Sequence, residues 1–203
     1  MTIQLSDHFT YTRLLRFTLP SIAMMIFTSI YGVVDGFFVS NFAGKTAFAA
    51  LNLIMPYVMV FGTLGFMVGT GGTALISMTL GRGDRKKANE LFSLLTYTAL
   101  IGGGALTVLS MVFMRPAAIA LGAEGQMLED AVTYGYIVQS VLTAYILQYA
   151  FQSFCIAAEK PNLALTMTVA SGCTNIVLDA LFVGVFRWGL IGAAVATAIA
   201  QAV

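Results

Sequence analysis

The sequence predicts an all-α polytopic membrane protein folded as a six-helix transmembrane bundle. Three observations carry that expectation. The first is composition: of 203 residues, 59% are hydrophobic and only 9% charged, with a mean hydropathy of +0.88, whereas soluble domains carry about 25% charged residues. The second is run length. Five apolar stretches are long enough to cross a hydrocarbon core of about 30 Å, and they are too evenly apolar for barrel strands, which need about ten alternating residues. The third is that nearly all the charge sits in short connectors between these stretches. Together they exclude an ordinary soluble globular domain and a disordered chain. A net charge of +1 gives no reason to expect a nucleic-acid partner.

The N-terminal segment, residues 1–13, carries both charge signs and leads into an apolar run too long for a secretory signal. Residues 7–16 (DHFTYTRLLR) read as a short interfacial helix, with His8 solvated at the aqueous face. The first span is expected at 14–42, with Pro20 near its start, where a kink is tolerable. The second, 51–80, exceeds what a bilayer needs and should tilt or protrude. Its Gly65-xxx-Gly69 spacing, among other glycines, suits close helix packing. Met55, Met59 and Met67 on the same helix would pack, or line an adaptable apolar cavity. The third span is expected at 91–114, the fourth at 131–158 and the fifth at 162–186. A sixth stretch, 190–203, is about fourteen residues long and reaches about 21 Å, short of a full crossing. The sequence therefore reads as part of a longer protein, cut within its sixth span. Cys155 and Cys173 both fall in apolar runs and read as small buried side chains, with no disulfide framework.

Alternate connectors share a side of the membrane. One side collects Arg13, Arg16, Arg82, Arg85, Lys86, Lys87 and Lys160; the other has Lys45, Arg115 and Arg187, in a connector expected at 115–130 for the second of these. Seven against three places the N-terminus in the cytoplasm. Trp188, at an outer boundary, fits an interfacial anchor.

Of nine acidic residues, only Asp35 and Asp179 lie inside spans. An ionised Asp at a helix centre costs about 2.5 to 3.5 kcal/mol on the insertion scale, so each is a functional candidate by default. Both lie about eight residues, or about 12 Å, below the outer connectors. They occupy different spans at similar height and can share one site. Asn175 lies four residues before Asp179, on the same helix face. Thr197 in the sixth span and Asn52 in the second reach the same depth. Two carboxylates, an amide oxygen and a hydroxyl form a hard-oxygen cluster suited to Na⁺, and the carboxylates alone suit protons. The fourth span is the other polar helix: Tyr134, Tyr136, Gln139, Tyr145, Gln148, Tyr149 and Gln152 cannot all face lipid. Tyr134 and Tyr136 are near enough its outer end to approach the acids, or else belong to an interfacial belt.

These residues fall in a recognisable pattern. Residues 33–39 (VVDGFFV), Gly44 with 47–51 (AFAAL), 81–84 (GRGD), 152–154 (QSF), 175–179 (NIVLD) and 192–197 (GAAVAT) occur in order over nearly the whole chain. The set resembles bacterial multidrug and toxic compound extrusion (MATE) transporters. One departure is Ala180, where many members have proline; it leaves the liganding groups untouched. The resemblance implies a twelve-helix exporter of two six-helix lobes facing alternately inward and outward, of which this chain is similar to the N-terminal lobe. Members exchange Na⁺ or H⁺ for amphipathic, often cationic, drugs and toxins. By position, Asp35, Asn175, Asp179 and Thr197 match the cation site, and they would ligate a metal only if the ion is Na⁺. Pro20 matches the first-helix proline implicated in bending, and Asn52, Tyr134, Tyr136 and Gln139 are candidates for substrate contact or gating.

The expectation is thus a cation-coupled antiporter of the bacterial plasma membrane, not an enzyme. Its partners are the lipid bilayer, a small amphipathic substrate and the C-terminal lobe of the same chain, with no cofactor beyond the coupling ion. A flippase for a lipid-linked or polysaccharide precursor is the alternative. It would want a basic cavity, and the expected spans contain no Lys or Arg beyond Arg16, in the first turn of the first span. An intramembrane aspartyl protease would want a GxGD motif at its second acid, where this chain has Val177-Leu178-Asp179.

Overall fold

The computed structural model describes residues 11–203. All regular structure among them is helical. Helix α1 (Tyr11–Phe38) continues into a π-helical turn, Val39–Ala43. Then come α2 (Lys45–Gly81), α3 (Arg85–Ala120), α4 (Gly125–Ser140) and α5 (Leu142–Ala157). Helix α6 (Pro161–Asp179) also runs into a π-helical turn, Ala180–Val185, and α7 (Gly189–Ala202) follows. Four of these segments are long and apolar enough to cross a membrane, and a fifth is if α4 and α5, bent by 53° at their junction, count as one span. With the shorter α7, the described chain makes a six-helix bundle.

Several element boundaries differ from the sequence expectation. Helix α1 is already formed at Tyr11, so no separate interfacial helix spans 11–16; residues 7–10, His8 among them, lie outside the described part. The expected connector at 115–130 shrinks to residues 121–124, because α3 continues through Pro116 to Ala120 and α4 starts at Gly125. Arg115 therefore sits in the last turns of α3, where it pairs with Glu129 of α4 at 2.9 Å. Both partners are exposed, so the pair adds little stability. The basic connector is a tight turn with Gly83 at φ +82°, after which Asp84 caps α3 by accepting from the Lys87 backbone N–H at 3.0 Å. Such caps contribute about 1 kcal/mol.

Close helix approach follows from glycine placement. A Cβ at Gly65 would lie 2.8 Å from the Ile146 Cα, and one at Gly69 would lie 3.2 Å from the Ala150 Cα. The GxxxG face of α2 is thus a seam against α5. Met59 and Met67 point the other way, at 62% and 61% exposure; of the three, Met55 packs against the core. Cys155 is half-buried and Cys173 is exposed, which corrects the expectation of two buried thiols. Trp188 stacks on Phe182 at 5.0 Å between ring centres.

Helix α1 packs on α6, α2 on α3, α4 and α5, and α7 on α4 and α6. The α1–α6 seam decides the site. The buried face of α6 repeats at Pro161, Ala164, Thr168, Gly172, Asn175 and Asp179, the period of one helical stripe. At its middle, a Cβ on Gly172 would fall 2.4 Å from a Phe27 ring carbon. The bare glycine lets the two spans meet closely enough for acids on each to face one another.

Candidate functional site

Asp179 ends the α-helical part of α6 and is fully buried, at 0% exposure. Asp35 lies on α1, four residues before its π-helical turn, and is half-buried. The two carboxyls face each other across the α1–α6 seam. Asn175, 3% exposed and one turn inward of Asp179, donates its side-chain N–H to the Thr197 hydroxyl of α7 over a long 3.5 Å. The four residues matched to the cation site thus come together from three helices. Tyr134 of α4 completes the group: it is almost fully buried, and its hydroxyl approaches Thr197 and both carboxyls. Tyr31 of α1 lies beside Asp35 and Tyr134.

The hydrogen-bond accounting at this cluster does not close within the protein. Both Asp179 oxygens, Asp35 Oδ1 and Asn175 Oδ1 are buried without a hydrogen-bond partner. Buried polar groups are ordinarily satisfied, and two facing carboxylates in an apolar bundle demand a counter-cation or a proton. The unpaired atoms are all oxygens, a donor set that fits a hard cation. Among the described residues no third acid, histidine or cysteine joins the pair.

The other expected residues stand apart. Asn52 is exposed, and its amide N–H donates to the Phe48 carbonyl of its own helix at 2.8 Å. Its depth is right but its face is wrong. Tyr136 is exposed and lies near Tyr57 rather than the acids, because two residues along a helix turn a side chain to the opposite side. Gln139 is fully buried, with neither amide atom hydrogen-bonded. Pro20 sits within α1, fifteen residues before Asp35, or about 22 Å along the helix, too far to join the acids.

Two features flank the acids. On the side of the 187–188 connector lies a dry layer: Val39, Val183, Ala193 and Ala194 are each fully buried and belong to the main apolar core. Val39 and Val183 are each four residues beyond an acid, one helical turn. On the opposite side lies a cavity of about 60 Å³ that starts at Asn175 and Thr197. Tyr145, Gln148, Tyr149 and Gln152 of α5 line it, which settles where that polar face of the fourth span points. Tyr31, Thr168 and Ser171 line it too. Sequence reasoning missed these three, although Thr168, Asn175 and Asp179 follow one another at spacings of seven and four along a single helix face.

The fold has counterparts among known proteins. The MatE family model matches residues 20–181. The chain is 27% identical over 193 residues to the multidrug export protein MepA of Staphylococcus haemolyticus, covering 95% of this chain and 43% of that protein. It is 28% identical to MepA of Staphylococcus aureus strain MSSA476, covering 94% and 42%. The chain thus spans less than half the length of the curated relatives it matches. A crystal structure of MATE in complex with MaD3S superposes with a TM-score of 0.88 at 24% identity, over 92% of this chain and 42% of that one. An outward-facing conformation of a multidrug resistance MATE family transporter of the MOP superfamily gives the same score and identity, over 92% and 41%. With four-fifths of its length inside the family model, and with the fold those structures share, this chain belongs to the MatE family.

Proposed function

We propose that this chain is the N-terminal, cation-coupling lobe of an antiporter that exports amphipathic drugs or toxins from a bacterial cell. Inward movement of Na⁺ or H⁺ drives export through alternating access. The observation that carries the reading is the pair of facing carboxyls, with Asp179 fully buried and both its oxygens unpaired by protein. The names of the MepA relatives support the export half of the proposal.

Coupling requires the cation to favour one conformation over the other. The acid pair supplies such a difference. Held together, Asp35 and Asp179 repel unless a proton or Na⁺ lies between them, so binding pulls α1 and α6 into contact and release lets them part. Asn175 and Thr197 extend the oxygen set to α7. The substrate would bind a space between lobes, since the cavity of about 60 Å³ inside this one is far below the 300 Å³ or more of drug-sized sites. The basic connector at 82–87 faces the cytoplasm in this reading, together with the N-terminus.

The test is cation-driven efflux by the full-length protein in proteoliposomes. Asp35→Asn and Asp179→Asn should each abolish the response to an imposed Na⁺ or proton gradient while the protein still inserts and folds. Unchanged gradient-driven efflux in both variants would refute the assignment.

A further inference from the structure

We propose that the polar cavity beneath the acid pair is the route by which the coupling cation leaves the lobe, with Gln152, Thr168 and Ser171 forming its inner, oxygen-lined station. The inference rests on the cation-coupled reading above and adds a direction and residues to it.

The cavity is continuous with the site at one end, since Asn175 and Thr197 line it. At the other end lie Gln152 and Thr168. Seven residues of α6 separate Thr168 from Asn175, a path of about 10 Å toward the 158–160 connector. The inner end is a built polar cluster. The Gln152 amide donates to the Thr168 hydroxyl, which in turn donates to the Ala164 carbonyl at 2.9 Å. The Ser171 hydroxyl donates across to the Ala200 carbonyl of α7 at 2.5 Å. Polar side chains at membrane depth are tolerated where they pair or line a watery space, and here they do both. Donating its hydrogen leaves the Ser171 oxygen as an acceptor beside the cavity, and the Thr168 oxygen keeps one lone pair beyond the one that accepts from Gln152. The volume, about 60 Å³, suits a few waters at about 10–15 Å³ each, or a cation with part of its hydration shell.

The two sides of the acids differ. Beyond them lies the dry layer of Val39, Val183, Ala193 and Ala194, each at 0% exposure. The polar side chains that line the cavity run from Asn175 and Thr197 toward Thr168 and Gln152, on the side of the basic connector. A cation bound between the carboxyls would descend past Asn175 to the Ser171–Thr168 level before release.

Two measurements on the full-length protein test this. In a background with Cys155→Ala and Cys173→Ala, Thr168→Cys and Ser171→Cys are exposed to Ag⁺, a thiol-reactive cation of roughly the size of Na⁺. Protection from later maleimide labelling is then read after denaturation. Ag⁺ supplied from the side of the 82–84 connector should block both thiols at least tenfold faster than Ag⁺ from the opposite side. It should also block them tenfold faster than the outward-facing Val177→Cys, a position 63% exposed on the bundle surface. Equal rates, or faster block from the opposite side, would overturn the route. Second, Gln152→Leu with Thr168→Val should slow ²²Na⁺ exchange, or pyranine-reported proton release, about tenfold while equilibrium binding stays within twofold. Unaltered exchange would also overturn it. Failure of the underlying reading looks different: ion binding would survive Asp35→Asn whatever the silver rates.

Discussion

Asp179 states the residue-scale problem in its simplest form. It is sealed from solvent and its two oxygens meet no donor, an arrangement that packing alone does not explain. Tyr134 bears on the same atoms, with a ring that fills core and a hydroxyl end that approaches Thr197 and both acids. Tyr134→Phe removes the hydroxyl and keeps the ring. It should leave thermal stability within a few degrees but weaken cation binding about tenfold. That loss is about 1.4 kcal/mol, within the range for a hydrogen bond to a charged group; equilibrium Na⁺ binding, or proton uptake, on the purified protein measures it. The acids were legible in the sequence because charge inside an apolar run has no cheap explanation. Asn52 does not join the acids because counting residues from a connector gives height in the membrane and not the direction a side chain points. That direction is set by packing, and α2 turns its glycine seam toward α5, leaving Asn52 outside.

At the scale of elements, the long apolar runs and the glycine spacing announced the helices, and the helices appear. The 53° bend between α4 and α5 has no such sign, since Ser140, Val141 and Leu142 include neither proline nor glycine. Nor do the π-helical turns, which follow Asp35 by four residues and Asp179 by one and touch each other. Such turns cluster at functional positions but depend on tertiary fit rather than on a local residue code. The Gly65 seam can be tested directly. Gly65→Val would drive a side chain into the Ile146 backbone and should cost about 1–3 kcal/mol, the usual range for overpacking. Gly71→Ala, with open space around it, should be nearly neutral. Thermal denaturation in detergent compares the two, and a neutral Gly65→Val would show that α2 and α5 can separate without loss.

For the whole molecule, charge asymmetry predicts orientation. In spheroplasts, Gly83→Cys in a background with Cys155→Ala and Cys173→Ala should resist an impermeant maleimide until the membrane is opened. Lys45→Cys should label at once, because the first and second connectors lie on opposite sides. The reverse pattern would invert the lobe and the direction of the route through it. The bundle brings Asp35, Asn175, Asp179 and Thr197 together from α1, α6 and α7, which periodicity along a single helix cannot reveal. Height matched them; the α1–α6 seam at Gly172 joined them.

The dry layer of Val39, Val183, Ala193 and Ala194 has an electrical consequence. A membrane potential falls mainly across the least polarisable stretch of any path, and hydrated segments take little of it. With a polar cavity on one side of the acids and sealed aliphatic side chains on the other, most of the field would drop across that single layer. A charge crossing the full potential carries about 2.3 kcal/mol per 100 mV. Most of that energy would therefore be released when Val39 and Val183 separate to admit the ion, and little on its later descent.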